Sequence, residues 1–329
     1  MISFAMIGAG RIGAVHARSI AAHPDARLVV VADPMEDAAQ RIAAGHGARV
    51  VADAGAVFDD PSVDAVVVGS PTRFHVDHVL AAVEAGKAVF VEKPIDLDLA
   101  RADRCIAAVG DRASRVMVGF NRRFDPATAD LRGRVLAGEI GPLEQLTIVS
   151  RDPAPAPAAY LAGSGGIFKD MTIHDLDTAR SMLGEVAEVS AVGQHLDRSV
   201  EDEWDAAVVT LHGVSGAVAT IINSRHSATG YDQRIEAFGR DGSLRQENVV
   251  ETAVQAFTAA SAGATRPYLH DFLERYAAAY AAELDAFITA IEAGVAPSPT
   301  LLDGREALAL AEAATEAART GRRVRVQSR

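Results

Sequence analysis

The sequence predicts an α/β protein, in which a doubly wound parallel sheet of the Rossmann type is followed by an α+β domain with an open, mainly antiparallel sheet. Over about the first 120 residues, short apolar runs alternate with helical patterns, as expected of parallel βαβ units. After Phe120 the strand-like runs are joined by hairpin signals instead. We therefore expect two domains, at residues 1–120 and 121–329.

The elements of the first domain follow from apolar runs bounded by glycine, proline and polar residues. The predicted strands are Ile2–Ile7, Leu28–Ala32, Ala65–Gly69, Ala88–Val91 and Arg115–Val118. The helical patterns between them are Arg11–Ala22, Met35–His46, His75–Glu84 and Leu97–Val109.

The second domain begins with a predicted helix, Ala127–Ala137, and a strand, Leu143–Ser150, before a loop rich in proline and alanine. An amphipathic helix is expected at Ile167–Leu183. The later predicted strands are Ala206–His212, Ala217–Asn223, Arg234–Gly239 and Leu244–Glu247, and the final helices are Asp271–Ala293 and Arg305–Arg319.

Composition excludes several function classes. The chain has 329 residues and a net charge of −12, and without a basic tract it is a poor ligand for nucleic acid or for an anionic membrane surface. No apolar run is long enough to span a bilayer. Its one cysteine, Cys105, excludes an intrachain disulfide and any zinc site built on cysteines. We expect a cytoplasmic protein with a small-molecule substrate.

A glycine-rich turn, Gly8-Ala9-Gly10-Arg11-Ile12-Gly13, joins the first strand to the first helix. In a dinucleotide site, the first glycine makes the tight turn, the second lets the pyrophosphate approach the backbone, and the third allows close packing of helix on strand. Asp33 ends the second strand and suits a ribose hydroxyl, while its charge repels a 2′-phosphate. The motif predicts NAD rather than NADP as the cofactor, although Arg11 is a cation that could accept a phosphate. The alternative is a glycine-rich turn in an unrelated α/β protein.

Two further strand ends carry polar residues where open α/β sheets place their ligands. Ser70-Pro71-Thr72 and His75 follow the third predicted strand, and Glu92-Lys93-Pro94 follows the fourth. The chain has three lysines, Lys87, Lys93 and Lys169, and the rest of its 32 basic residues are arginine. A lysine that persists against this bias is a candidate for a task that needs a compact ammonium group. The alternative for Lys93 is a surface lysine at a strand end.

In the second domain, Asp170, His174 and Asp177 have the spacing of one α-helical face. A carboxylate one turn from an imidazole can orient it as a general base. The polar face of an ordinary amphipathic helix explains the same spacing, and spacing alone favours that alternative. A metal site is disfavoured because nothing nearby completes a ligand set.

Together these motifs resemble the glucose-fructose oxidoreductase/inositol dehydrogenase/rhizopine-catabolism family, and particularly its inositol branch. The resemblance rests on the glycine turn, Ser70-Pro71-Thr72, Glu92-Lys93-Pro94 and three later runs. Those runs are Gly119–Asp125, Gly165–Asp177 and Asn223-Ser224-Arg225 with Gly230–Glu236, so the resemblance covers essentially the whole chain.

The resemblance implies NAD-dependent oxidation of a cyclic polyol such as myo-inositol, with Lys93, Asp170 and His174 as catalytic residues and a cis peptide bond before Pro94. It also implies polyol contacts from Arg122, Asp177 and Tyr231, with the catalytic three also meeting the substrate, and a homotetramer assembled through the open sheet. Tyr160, in the loop around Ala154–Ala162, is a further candidate for a polyol contact, and the alternative for Arg122, Tyr160 and Tyr231 is a structural role. The expected cofactor contacts are Gly8, Gly10, Arg11, Ile12, Gly13, Asp33, Ser70, Pro71, Thr72, His75, Glu92 and Lys93. The alternatives are another inositol isomer or an aldopyranose as substrate, an NAD-dependent glycosidase, and a non-catalytic NAD-binding regulator.

Overall fold

The computed structural model describes residues 1–196 and 203–327, which form two compact units. The first unit consists of Met1–Phe124 and Ala278–Leu308, and the second of Asp125–Ala277 and Ala309–Arg329. The first division, after Phe124, lies close to the expected boundary at residue 120, and the second unit differs from the expected domain 121–329 by the absence of Ala278–Leu308. A late segment returns to the first unit, because Leu284, Phe287 and Ile288 join the apolar cluster around Phe4 and Phe90.

The first unit contains the predicted parallel sheet, with six strands in the order β3-β2-β1-β4-β5-β6. The strands are β1 (Ile2–Ile7), β2 (Ala26–Ala32), β3 (Arg49–Val51), β4 (Ala65–Val68), β5 (Ala88–Glu92) and β6 (Val116–Gly119). The strand order reverses between β1 and β4, and ligands of such sheets bind beyond the carboxyl ends at that point. β3 was not predicted, since three residues give no usable periodicity.

Helices connect the strands of the first unit, as expected of a doubly wound sheet. They are α1 (Arg11–Ala22), α2 (Glu36–Ala43), α3 (Gly55–Phe58), α4 (His75–Glu84) and α5 (Leu99–Val109). The predicted bounds of α1 and α4 are confirmed at both ends.

The second unit contains a seven-stranded sheet in the order β12-β11-β7-β10-β9-β8-β15, in which only the β7–β10 pair is parallel. Its strands are β7 (Leu143–Arg151), β8 (Val186–Gln194), β9 (Ala206–Gly213), β10 (Val218–Ser224), β11 (Asp232–Gly239), β12 (Gly242–Gln246) and β15 (Val324–Arg325). A separate hairpin is formed by β13 (Ala256–Thr258) and β14 (Ser261–Ala264). The predicted open, mainly antiparallel sheet is confirmed, although β8 and β15 were not foreseen.

The remaining helices are α6 (Pro126–Leu136), α7 (Ala158–Ser164), α8 (Ile173–Leu183), α9 (Phe272–Arg275), α10 (Ala277–Ala293) and α11 (Leu301–Thr320). The predicted helix Asp271–Ala293 is divided at Tyr276 into α9 and α10. One face of the seven-stranded sheet packs on α8 and the later part of α11, where their apolar side chains form a common core. Within the described ranges, every helix is too short or too polar to cross a bilayer.

Candidate active site

The glycine turn between β1 and α1 is shaped by close backbone contacts. Gly8 has a φ of +100°, and a Cβ atom there would lie 2.6 Å from the carbonyl carbon of Gly69. A Cβ on Gly13 would lie 2.1 Å from the Gly8 oxygen, whereas one on Gly10 meets no atom within 4 Å. Gly8 and Gly13 therefore allow the turn to form, and Gly10 leaves space above the backbone at the start of α1. This cradle fits the pyrophosphate of a dinucleotide.

Asp33 lies beside that turn, at the end of β2. Its Oδ2 accepts a hydrogen bond of 2.7 Å from the Ala9 amide, and its Oδ1 accepts one of 2.8 Å from the Met35 amide. The carboxylate is thus held by backbone on both sides while remaining partly exposed. The ribose contact of Asp33 stays a prediction. Arg11 is exposed and Ile12 is half-buried at the start of the same helix.

His75 is the first residue of α4, and its side chain is buried. One ring nitrogen lies 2.8 Å from the Ser70 carbonyl oxygen and the other lies 2.8 Å from that of Pro94. Burial lowers the pKa of His75, and the two carbonyl oxygens oppose that shift. The imidazole therefore lies between the loops that follow β4 and β5, with a carbonyl oxygen of each loop within hydrogen-bond distance. The cofactor contact of His75 stays a prediction.

The Glu92-Lys93-Pro94 turn follows β5, and the expected cis peptide bond between Lys93 and Pro94 is confirmed. Glu92 is buried, and its Oε2 accepts a hydrogen bond of 3.3 Å from the Lys93 amide. Lys93 is half-buried. Arg122 is buried in the helical turn that follows the neighbouring strand β6, at the same edge of the sheet.

The other two lysines show what a compact ammonium group does elsewhere in the chain. Lys87 is buried and its Nζ donates to the carbonyl oxygens of Asp60 at 2.7 Å and Val63 at 2.9 Å. Lys169 pairs with Glu312 at 3.1 Å. Persistence against the arginine bias therefore does not by itself distinguish a chemical task from a structural one.

In the second unit, the helix that carries Asp170 and His174 is not regular. Phe168–Thr172 form a π-helical turn, and the α-helix begins only at Ile173. Asp170 lies in the π turn, whereas His174 and Asp177 lie in α8. The continuous amphipathic helix predicted at Ile167–Leu183 was therefore wrong near its start, where a π turn replaces the α-helical pitch.

Asp170 is held by two side chains from elsewhere in the unit. Its Oδ1 accepts a hydrogen bond of 2.8 Å from the Tyr160 hydroxyl, and its Oδ2 accepts one of 3.1 Å from Arg225 Nη1. Arg225 is almost completely buried and also donates from Nη2 to Glu203 at 3.3 Å. Burial raises the pKa of Glu203, and the guanidinium of Arg225 opposes the shift.

Sequence reasoning did not assign a role to Arg225 or Glu203. Arg225 follows β10 directly, and its only local signal was its place in the Asn223-Ser224-Arg225 run. The contact with Asp170 joins residues 55 positions apart and could not be derived from spacing.

A second buried network supports the same segment. Thr172 Oγ1 donates to Asn223 Oδ1 at 2.7 Å, and Asn223 Nδ2 donates to Asp175 Oδ2 at 2.8 Å. All three side chains are buried, and so is Asp177. Tyr231 is also buried, with its ring edge-on to Tyr276 at 5.9 Å. Of the predicted catalytic residues, Asp170 and His174 thus belong to the second unit and Lys93 to the first.

The chain matches two family models in succession. Residues 2–120 match the oxidoreductase family with an NAD-binding Rossmann fold, GFO_IDH_MocA, and residues 128–245 match the GFO/IDH/MocA C-terminal domain. It is also 44% identical to the inositol 2-dehydrogenase of Rhizobium meliloti, over 99% of each chain.

Solved structures with the same fold over the full length include enzymes named for two inositol isomers. The crystal structure of a myo-inositol dehydrogenase from Corynebacterium glutamicum has a TM-score of 0.96 and 49% identity, covering 100% of both chains. That of scyllo-inositol dehydrogenase from Lactobacillus casei, with bound NAD(H) and scyllo-inositol, has a TM-score of 0.92 and 29% identity, again covering 100% of both chains.

Proposed function

This chain belongs to the GFO/IDH/MocA oxidoreductase family, and on that premise we propose that it oxidises a ring hydroxyl of an inositol with NAD. The reaction proposed is the conversion of myo-inositol to 2-keto-myo-inositol with release of NADH. The observation that carries the substrate class is the full-length similarity to enzymes named as inositol dehydrogenases.

The first unit supplies the residues that hold the cofactor. The N-terminus of α1 and the backbone around Gly10 would hold the pyrophosphate, and the Asp33 carboxylate would accept a hydrogen bond from the adenosine ribose. Ser70, Pro71 and Thr72 would hold the nicotinamide half. Bound NAD would supply the acceptor for the hydride of the alcohol carbon.

Proton handling is assigned to three side chains. His174 accepts the proton of the reacting hydroxyl, since an imidazole titrates near neutral pH. Lys93 donates a hydrogen bond to the same oxygen as it becomes a carbonyl oxygen. Asp170, fixed by Arg225 and Tyr160, supplies the negative charge that favours a protonated His174.

Polyol recognition is assigned to Arg122, Asp177, Tyr160 and Tyr231. Asp177 and Tyr231 are buried, as expected of side chains that meet a substrate away from bulk water. The Tyr160 hydroxyl donates to Asp170, so its proposed contact with the polyol uses the oxygen lone pairs.

The proposal includes a homotetramer in the cytoplasm. Paired residues Val192, Val208, Ile222 and Val149 cross four neighbouring strands on the sheet face opposite the core. Val192 is 62% exposed and Val208 is 40% exposed in the single chain, which supports use of this face between subunits. A Val208→Lys variant is expected to dissociate the assembly in sedimentation experiments. An unchanged assembly would show that another surface is used.

The test is a spectrophotometric assay of reduced nicotinamide. The purified protein is mixed with myo-inositol, scyllo-inositol, D-chiro-inositol or glucose, and with NAD or NADP, at mildly alkaline pH. We expect sustained NADH formation with inositols and NAD. Activity with glucose alone, or with NADP alone, would overturn the substrate or the role of Asp33. Hydrolysis of a glycoside without net NADH formation would indicate a glycosidase instead.

A further inference from the structure

Three buried titratable side chains lie behind the Lys93 turn in the first unit. His16 comes from α1, Glu92 ends β5, and Glu283 comes from α10. Each is less than 9% exposed, and their nearest nitrogen and oxygen atoms all lie within 4.8 Å of one another. None of the assignments above explains why two carboxyl groups and an imidazole are packed together here.

Glu92 connects two parts of the cofactor domain. Its Oε1 lies 2.7 Å from His16 Nε2, and its Oε2 accepts from the Lys93 amide. His16 is itself fixed by aromatic rings, since it lies edge-on to Phe90 at 4.9 Å and to Tyr280 at 5.8 Å. One carboxylate thus joins the helix that begins at the glycine turn to the backbone from which Lys93 extends.

Glu283 has no comparable partner among the described residues. Its side chain is completely inaccessible, and neither carboxyl oxygen has a hydrogen-bond partner. The titratable groups nearby are Glu92 from β5, His16 from α1 and the Tyr280 ring from its own helix. A buried carboxylate without a donor is costly, and a second carboxylate beside it adds repulsion.

We propose that Glu283 keeps its proton in the folded protein at neutral pH, and that with Glu92 and His16 it forms a buried cluster that positions Lys93. A neutral Glu283 leaves Glu92 as the single negative charge of the cluster. The N–H groups of His16 and Lys93 then both bind that charge. An ionised Glu283 would compete for the His16 proton and loosen the Lys93 turn. The positioning role rests on the proposed function, whereas the protonation of Glu283 does not.

The protonation state is tested by the pH dependence of stability. Burial and the nearby Glu92 raise the pKa of Glu283 well above its usual value. A raised acid pKa stabilises the fold at low pH, and this contribution is lost as pH rises above the pKa of the unfolded chain. Glu283→Gln is neutral and of the same shape, so its melting temperature relative to the wild type is expected to rise between pH 5 and pH 8. A difference that stays constant or falls over this range would overturn the protonation.

Infrared spectroscopy supplies a readout that is independent of stability. The wild type at pH 7 is expected to show the carbonyl stretching band of a protonated carboxylic acid, and Glu283→Gln is expected to lack it. Retention of the band in the variant would overturn the assignment. So would stoichiometric zinc or manganese in the purified protein that is lost in the variant, because the three side chains would then be metal ligands.

Positioning is tested at His16 with a matched pair of variants. His16→Leu removes the donor to Glu92, and we expect kcat to fall by ~10–100-fold with little change in NAD binding, since misplaced catalytic groups lose about this much. His16→Gln places an amide N–H near Nε2 and is expected to recover most of the loss. Wild-type kcat in His16→Leu, or an equal loss in both variants, would overturn the positioning role. If the wild type itself oxidises no inositol, the proposed function fails while the two measurements on Glu283 still decide the protonation.

Discussion

The two units hold their predicted site residues in different ways. In the first, polar side chains bond mainly to backbone: Asp33 to the amides of Ala9 and Met35, and His75 to two carbonyl oxygens. In the second, side chains bond to one another across long stretches of sequence, as Asp170 does to Tyr160 and Arg225.

This difference separates the glycine turn, which is shaped by backbone, from the network around Asp170, which is made of side chains. A backbone-shaped site depends on turns, and a turn is fixed by a few neighbouring residues such as glycine. A site made of side chains depends on the charge and length of each member. Variants of the glycine turn should therefore change cofactor affinity, and variants of the Asp170 network should change turnover.

The largest effect is expected at the proposed base. His174→Ala should lower kcat by ~10²–10⁴-fold, the usual contribution of a general base. NAD binding, measured by calorimetry, should be unchanged because the cofactor residues belong to the first unit. His195→Ala, an exposed histidine of the same unit, is the control. Full turnover in His174→Ala would remove the assignment.

Two glycine variants test the backbone-shaped site. Gly13→Ala would place a Cβ atom against the Gly8 oxygen, so the turn must shift. Overpacking lowers stability by ~1–3 kcal/mol, so we expect a lower melting temperature. A loss of the same size in NAD binding would lower the affinity by about 5- to 150-fold. Gly10→Ala, with open space around its Cβ, should weaken NAD binding without lowering the melting temperature. An equal decrease in melting temperature in both variants would contradict the distinct tasks of the two glycines.

Arg225→Met tests the side-chain network. The variant leaves Asp170 and Glu203 without their shared cation, and breaking a buried pair in this way costs about 3–5 kcal/mol. We expect a loss of stability at the lower end of this range, since both carboxylates keep some exposure. We also expect kcat to fall about tenfold, which corresponds to ~1.4 kcal/mol in the activation free energy. Arg245→Met is the control. It breaks an exposed ion pair with Glu236 and should lower the free energy of unfolding by less than about 1 kcal/mol. Unchanged turnover in Arg225→Met would show that Asp170 does not need this support.

The smallest effect is expected from Tyr160→Phe. Tyr160 is 51% exposed and contributes one hydrogen bond to Asp170, so Arg225 still holds the carboxylate. Steady-state assays should show a smaller loss in kcat than Arg225→Met does. The free energy of unfolding, measured by thermal denaturation, should change by less than ~0.5 kcal/mol. A loss larger than that of Arg225→Met would reverse the ranking and indicate that the hydroxyl meets the substrate.

The same contrast explains what the sequence could predict. The starts of α1 and α4 were predicted to the residue, because glycine and proline mark them locally. The position of Asp33 beside the glycine turn followed from its place at the end of the second strand. Arg225 was missed as a partner of Asp170 because their contact is made by the fold of the sheet, not by any local pattern.

Two errors have a further physical cause. The π turn at Phe168–Thr172 was missed because apolar periodicity assumes a constant helical pitch. The return of α10 to the first unit was missed because an alanine-rich helix carries little sign of which core it joins.

The return of α10 also sets the order in which the protein can be completed during synthesis. Phe287 packs against Phe4 at 6.3 Å and against Phe90 at 5.8 Å, so the core of the nucleotide domain joins the first strand to a helix that is made only after residues 125–277 of the second unit. Domains usually fold as units while the chain emerges from the ribosome. This one cannot finish its core until most of the other unit has been made. A fragment that ends at residue 124 would expose that apolar surface to water, and aggregation of the fragment is the expected consequence.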